Sequence, residues 1–183
     1  MASARFSRPA PAWLLWSLAA GVFVLDRAAK RWVIDALALT HTRDIVGDFL
    51  RFSYVRNPGV AFGLFADHGL PLGWISLVAL AAVLWLALRA PVRAWPRAVA
   101  LGLILGGAVG NLYDRLRWGS VLDFIDVGIG SHRFWTFNVA DAAISVGVVL
   151  WAAHLLWGPA EGHAPPDRAD AAPAISEDHA RGA

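Results

Sequence analysis

The chain has 183 residues, 57% of them hydrophobic and only 16% charged, with a mean hydropathy of +0.51. A soluble domain carries about 25% charged residues, so this composition indicates a membrane protein. A net charge of +2 without a basic stripe gives no basis for nucleic-acid binding, the lack of cysteine excludes disulfides, thiolate metal sites and a cysteine nucleophile, and the six scattered histidines, with no HExxH, suggest no metal site.

Residues 1–12 carry Arg5 and Arg8 and no acid, and are expected to form a short tail. An apolar run follows and passes into Asp26-Arg27-Ala28-Ala29-Lys30 rather than a small-residue cleavage site, so residues 13–34 are read as a first membrane helix, not a removable signal. Asp26 and Lys30 lie four apart on one face, which suits a local ion pair as well as a functional role. Residues 40–68 are a non-helical link in which 49–55 alternate as a short strand. The strand runs into Arg56-Asn57-Pro58-Gly59, where Asn57 also suits simple turn chemistry. Residues 69–88 form a second helix, apolar all round, as expected of a lipid-facing segment.

A basic link, 89–97, leads into a third helix at 95–114 with two small-xxx-small pairs, Gly102/Gly106 and Gly106/Gly110, which permit close helix approach. Its uncharged run from Ala98 to Tyr113 ends abruptly in Asp114 and Arg115, and Asn111, Asp114 and Arg115 share a face. Residues 116–136 are read as a second extramembrane loop containing Asp123 and Asp126. The fourth helix, 137–157, opens with Asn138 and Asp141 on one face; an N-cap and a first-turn carboxylate explain this pair as well as a catalytic role does. Residues 159–183 are rich in Pro and Ala, without apolar periodicity, and are expected to be a disordered tail. The four-helix membrane unit is therefore expected at 13–158.

Under alternating topology, the helix ends bearing Asp26/Lys30, Asn57, Asn111/Asp114/Arg115 and Asn138/Asp141 all fall on one side, although Lys and Arg counts do not settle which. No Ser-His-Asp arrangement and no GxSxG is present. Two close aspartates share a proton: the ionised one activates water, while the protonated one polarises a scissile carbonyl. Asp123 and Asp141 are the expected pair. A small transporter would instead carry polar groups through the bilayer midplane on several helices, and an accessory membrane protein would tolerate loss of both carboxylates.

Five stretches in order carry a family resemblance: Asp26-Arg27-Ala28-Ala29-Lys30, Arg56-Asn57-Pro58-Gly59-Val60-Ala61-Phe62, Gly110-Asn111-Leu112-Tyr113-Asp114-Arg115, Val121-Leu122-Asp123-Phe124 and Phe137-Asn138-Val139-Ala140-Asp141. Together they resemble lipoprotein signal peptidases, the type II signal peptidases of bacteria, with Ala29 standing where a Thr or Ser is expected. The resemblance implies a four-helix polytopic membrane protein, all-α apart from a small β-rich extracytoplasmic cradle between helices 1 and 2. It also implies an inner-membrane location with both termini cytoplasmic, prolipoprotein substrates cut before a diacylglyceryl-modified cysteine, and no cofactor or obligate partner. By the same resemblance Asp123 and Asp141 are catalytic, Asn57, Asn111, Arg115 and Asn138 line the site, and Asp26, Lys30 and Asp114 support it.

Overall fold

The computed structural model describes residues 12–37, 41–58, 72–89 and 95–157. The N-terminal tail up to residue 11, the tail from 158 onward and the second half of the first link, 59–71, lie outside them. The described residues form helices α1 (Ala12–Leu37), α2 (Leu72–Arg89), α3 (Trp95–Trp118) and α4 (Val139–Trp157). They also form strands β1 (Thr42–Val46), β2 (Leu50–Asn57), β3 (Val121–Ile129) and β4 (His132–Arg133).

Helix α3 is the hub and packs against all three other helices, most extensively α4 and α1. Its glycines make this possible. A Cβ on Gly106 would sit 2.5 Å from the Ala19 carbonyl oxygen of α1, and one on Gly107 would collide with the Ala140 carbonyl of α4. Backbone therefore meets backbone, the close approach that small residues allow when the hydrophobic effect does not drive helices together. Leu15 and Ala19 close the α1–α3 seam with Leu101 and Leu105. Pro96 is tolerated in the first turn of α3, where its missing N–H has no intrahelical partner. The helix ends at Gly119, whose φ of +69° gives the left-handed C-terminal cap, with Arg115 and Arg117 in the last turn opposing the helix dipole.

The strands form one antiparallel sheet in the order β1-β2-β3-β4. The cradle is thus not confined to the link between α1 and α2. Its longest strand, β3, comes from between α3 and α4, where the sequence reading placed a loop. The reason is visible in its burial: Val121 to Phe124 are all buried, so this stretch lacks the polar-apolar alternation that marks a half-exposed strand. Leu122 and Phe124 pack against Val33 and Leu37 and so fasten the sheet to the end of α1. Trp32, Phe52 and Phe124 continue that contact edge to face.

Among the described residues, α4 is long and apolar enough by itself to cross a membrane. Helices α1 and α3 dilute their apolar runs with the charged residues gathered near one end.

Candidate active site

The site lies where the end of α1, the end of α3, the ends of β2 and β3 and the start of α4 converge. Strand pairing sets the first placement. Asn57 lies opposite Val121 and Val55 opposite Asp123, which brings the Asn57 amide to the Asp123 carboxylate, with Nδ2 2.8 Å from Oδ2. A short bridge sets the second. Phe137 exchanges both backbone hydrogen bonds with Ile125, so the next residue, Asn138, reaches Asp123 Oδ1 with its Nδ2 at 2.7 Å.

Asn138 also caps α4. Its Oδ1 accepts from the Asp141 N–H at 2.9 Å, and Asp141 Oδ2 accepts in return from the Asn138 N–H at 3.2 Å. This reciprocal box satisfies two N–H groups at the helix start. A third, Ala140 N–H, donates to Asp26 Oδ1 of α1 at 3.1 Å. Asp141 Oδ1 accepts from Asn111 Nδ2 at 2.7 Å. Each of the four carboxylate oxygens of Asp123 and Asp141 therefore accepts an N–H from a fixed donor.

Beneath this layer lies a buried ion cluster. Lys30 reaches Asp26 and Asp114 at 2.7 Å each and donates to Asn111 Oδ1 at 3.3 Å. Arg27 pairs with Asp114 and lies over the Tyr113 ring, 4.6 Å from its centroid. Two carboxylates meet two cations, so the cluster is formally neutral, as buried ions must be to avoid a large desolvation cost. Arg27 carries no assignment in the sequence reading. The signal for it was the arginine itself, set in an apolar helix where it needs an acid.

Asp123 and Asp141 line one cavity of about 480 Å³ together with Asn57, Asn111 and Arg115. The cavity wall is mostly apolar and includes Phe134 and Trp135 from the segment joining β4 to α4, also absent from the sequence reading. Arg115 donates to the Asn111 carbonyl at 3.5 Å and faces the same space. Burial pushes the Asp123 carboxyl up to about 6; the Asp141 charge adds to the rise, while the Asn57 and Asn138 amides oppose it. Asp126 takes a different course. It is held by Arg133 at 2.8 Å on the sheet, and Arg133 also bonds Asp48 of the β1–β2 turn, so Asp126 laces the two hairpins together. Among the described residues no cluster of three or more His, Asp or Glu side chains is arranged to hold a metal ion.

A helical fold with a small antiparallel sheet and two carboxylates lining a mostly apolar cavity is that of a membrane enzyme. Two solved structures, each described as a bacterial membrane enzyme determined by the in meso method, share it. One aligns with a TM-score of 0.72 at 27% identity, covering 83% of this chain and 93% of that one. The other aligns with a TM-score of 0.69 at 26% identity, covering 85% and 100%. The family model for signal peptidase (SPase) II matches residues 18–157. Similar curated proteins include the lipoprotein signal peptidases of Syntrophus aciditrophicus (37% identical, 75% of this chain and 89% of that one) and Cellvibrio japonicus (40%, 80% and 88%). That of Thermosynechococcus vestitus is 40% identical over 80% of this chain and 92% of that one. The chain belongs to the signal peptidase II family and is a protease.

Proposed function

We propose that this protease removes signal peptides from prolipoproteins by cutting before a diacylglyceryl-modified cysteine, with Asp123 and Asp141 as a catalytic aspartate pair. The observation that carries the reading is the pairing itself: a buried and a half-buried carboxylate, Asp123 and Asp141, line one mostly apolar cavity, each braced on both oxygens by N–H donors. Burial and the nearby Asp141 charge both favour a proton on Asp123, so in this reading the two carboxyls hold one proton at working pH.

The ionised aspartate takes a proton from water as its oxygen attacks the scissile carbonyl carbon. The protonated aspartate gives its hydrogen to the carbonyl oxygen, so a neutral gem-diol forms. The first aspartate then returns its proton to the leaving amine while the second takes a proton from a gem-diol hydroxyl as the C=O re-forms and the C–N bond breaks, so the pair regains its starting protonation. Asn57, Asn111 and Asn138 orient the two carboxylates, and Arg115, which lines the same cavity near them, offers donors to the peptide backbone. Apolar walls that include Phe134 and Trp135 suit a substrate delivered from lipid as an apolar signal helix with an acylated cysteine.

In this reading all four helices span the bacterial inner membrane, both tails are cytoplasmic, and the sheet lies at the outer surface with residues 13–158 as the peptidase unit. Its partners are the acylated prolipoprotein and lipid. The test is cleavage of a diacylglyceryl-modified prolipoprotein by the purified chain beside Asp123→Asn and Asp141→Asn. Wild type is expected to cut before the acylated cysteine and both variants to be inert. Equal cutting by all three removes the pair from the mechanism.

A further inference from the structure

The buried cluster around Lys30 does more than join helices. Three contacts of one asparagine decide it. Asn111 Oδ1 lies 3.3 Å from Lys30 Nζ and 3.2 Å from Asn138 Nδ2, while Asn111 Nδ2 lies 2.7 Å from Asp141 Oδ1. An asparagine amide has an acceptor end and a donor end that are almost the same shape, and only its neighbours choose between the two orientations. An ammonium has hydrogens and no acceptor, so the group facing it must be the oxygen. Lys30 therefore sends the Asn111 N–H₂ toward Asp141. Without Lys30, the Asn138 amide at 3.2 Å is the remaining constraint on that end, a neutral donor where an ammonium had also stood.

The second amide of the site is fixed independently. Asn138 Oδ1 faces the backbone N–H of Asp141, also an obligate donor, so Asn138 Nδ2 must point to Asp123. The two obligate donors together polarise the whole chain of amides, so that both carboxylates receive hydrogens. Lys30 itself is anchored by Asp26 and Asp114 at 2.7 Å each and is fully buried. Asp26 meanwhile bonds Ala140 N–H, one residue before Asp141. Helix α1 thus grips Asp141 twice, through the backbone before it and through the amide that touches its side chain.

We propose that Lys30 is a positioning residue for catalysis: it sets the orientation of the Asn111 amide and thereby places the Asp141 carboxylate. This rests on the aspartate-pair reading above. The test is steady-state cleavage of a diacylglyceryl-modified prolipoprotein by the full chain carrying Asp26→Asn and Lys30→Met together. The double change removes one charge of each sign, keeps the side-chain volumes close and leaves Arg27 paired with Asp114. Thermal unfolding is recorded on the same samples.

The expected result is a folded protein whose kcat is lower by about ten- to a hundredfold, with KM changed by less than about twofold, because an oriented hydrogen bond at a reacting carboxylate is lost while the substrate surface stays intact. A wild-type kcat in the folded double variant overturns the proposal, as does activity that falls only in proportion to the folded fraction. If the double variant does not fold, Lys30→Gln carries the test. Gln offers either a donor or an acceptor to Asn111, so kcat should drop about tenfold at unchanged KM; wild-type kcat overturns the proposal here too. Failure of the parent reading looks different. In that case wild type does not cut, or Asp123→Asn and Asp141→Asn cut as well as wild type does.

Discussion

Replacing Asp123 by Asn should abolish cleavage and, at neutral pH, make the protein more stable. Asp123 is buried on β3, and burial raises its carboxyl from 3.8 to about 6. A raised value means that the folded protein holds the proton more tightly than the unfolded chain does. Folding stability is therefore greatest below pH 3.8, declines as the pH climbs toward 6 and is flat above that. The rise of about two pH units corresponds to about 3 kcal/mol at 1.36 kcal/mol per unit, the cost of keeping an ionised Asp123 in the folded site. Asn carries no such cost, but one of its two ends now meets an amide N–H₂ from Asn57 or Asn138, which takes back about 1 kcal/mol. The net gain near pH 8 is about 2 kcal/mol, or an unfolding temperature higher by about 4–8 °C for a chain of this size. The assay is thermal unfolding in detergent, followed by tryptophan fluorescence, for wild type and Asp123→Asn between pH 3.5 and 8. The gap should open between pH 4 and 6 and vanish or reverse at the acid end. A gap of the same size at every pH would refute the argument, because it would mean that ionised Asp123 costs the fold nothing.

Two further substitutions separate effects that the site combines. Asn138→Ala removes the α4 cap and strands Asp123 Oδ1 and the Asp141 N–H, and should cost about 2–4 kcal/mol. Asn138→Ser should recover about 1 kcal/mol through its hydroxyl cap yet remain poorly active, since serine cannot reach Asp123; full activity in the serine variant would show that the cap alone matters. Gly106→Ala should lower stability by about 1–3 kcal/mol, because the new Cβ meets the Ala19 carbonyl at 2.5 Å and Val22 Cβ at 2.8 Å. Gly21→Ala is its control on α1. Nothing lies within 4 Å of a Cβ there, so that change should be neutral or stabilising by up to about 1 kcal/mol, and equal losses at both positions would remove the close-approach argument.

Much of this arrangement was legible in the residues. Apolar runs ending in charge gave helices with polar ends, and alternation at 49–55 gave a strand that the structure extends to Leu50–Asn57. What escaped was cooperation between distant segments. β3 looked like a loop because its first half, Val121 to Phe124, is buried on both faces and because it carries Asp123 and Asp126 amid apolar neighbours. Asn138 read alone as a helix cap or as a site residue; in the structure it caps α4 and also bonds Asp123, because the bridge from Phe137 to Ile125 sets the cap beside the strand. The i,i+4 spacing of Asp26 and Lys30 indicated a pair, but neither Asp114 nor Ala140 could be foreseen as the further partner. Spacing along one helix is local information, whereas the partner of a buried ion is a property of the packed fold.

The hydrogen bond from Ala140 to Asp26 spans 114 residues of sequence. During synthesis α1 emerges from the ribosome long before α4, so Asp26 must wait for most of translation before Ala140 arrives as its partner. Until then Asp141 does not exist and Asn111 has no carboxylate to orient. If Asp123 and Asp141 are the catalytic pair proposed above, a growing chain that lacks α4 is consequently a harmless one: the protease becomes able to cut only when its final helix is in place, and translation itself acts as the safety catch.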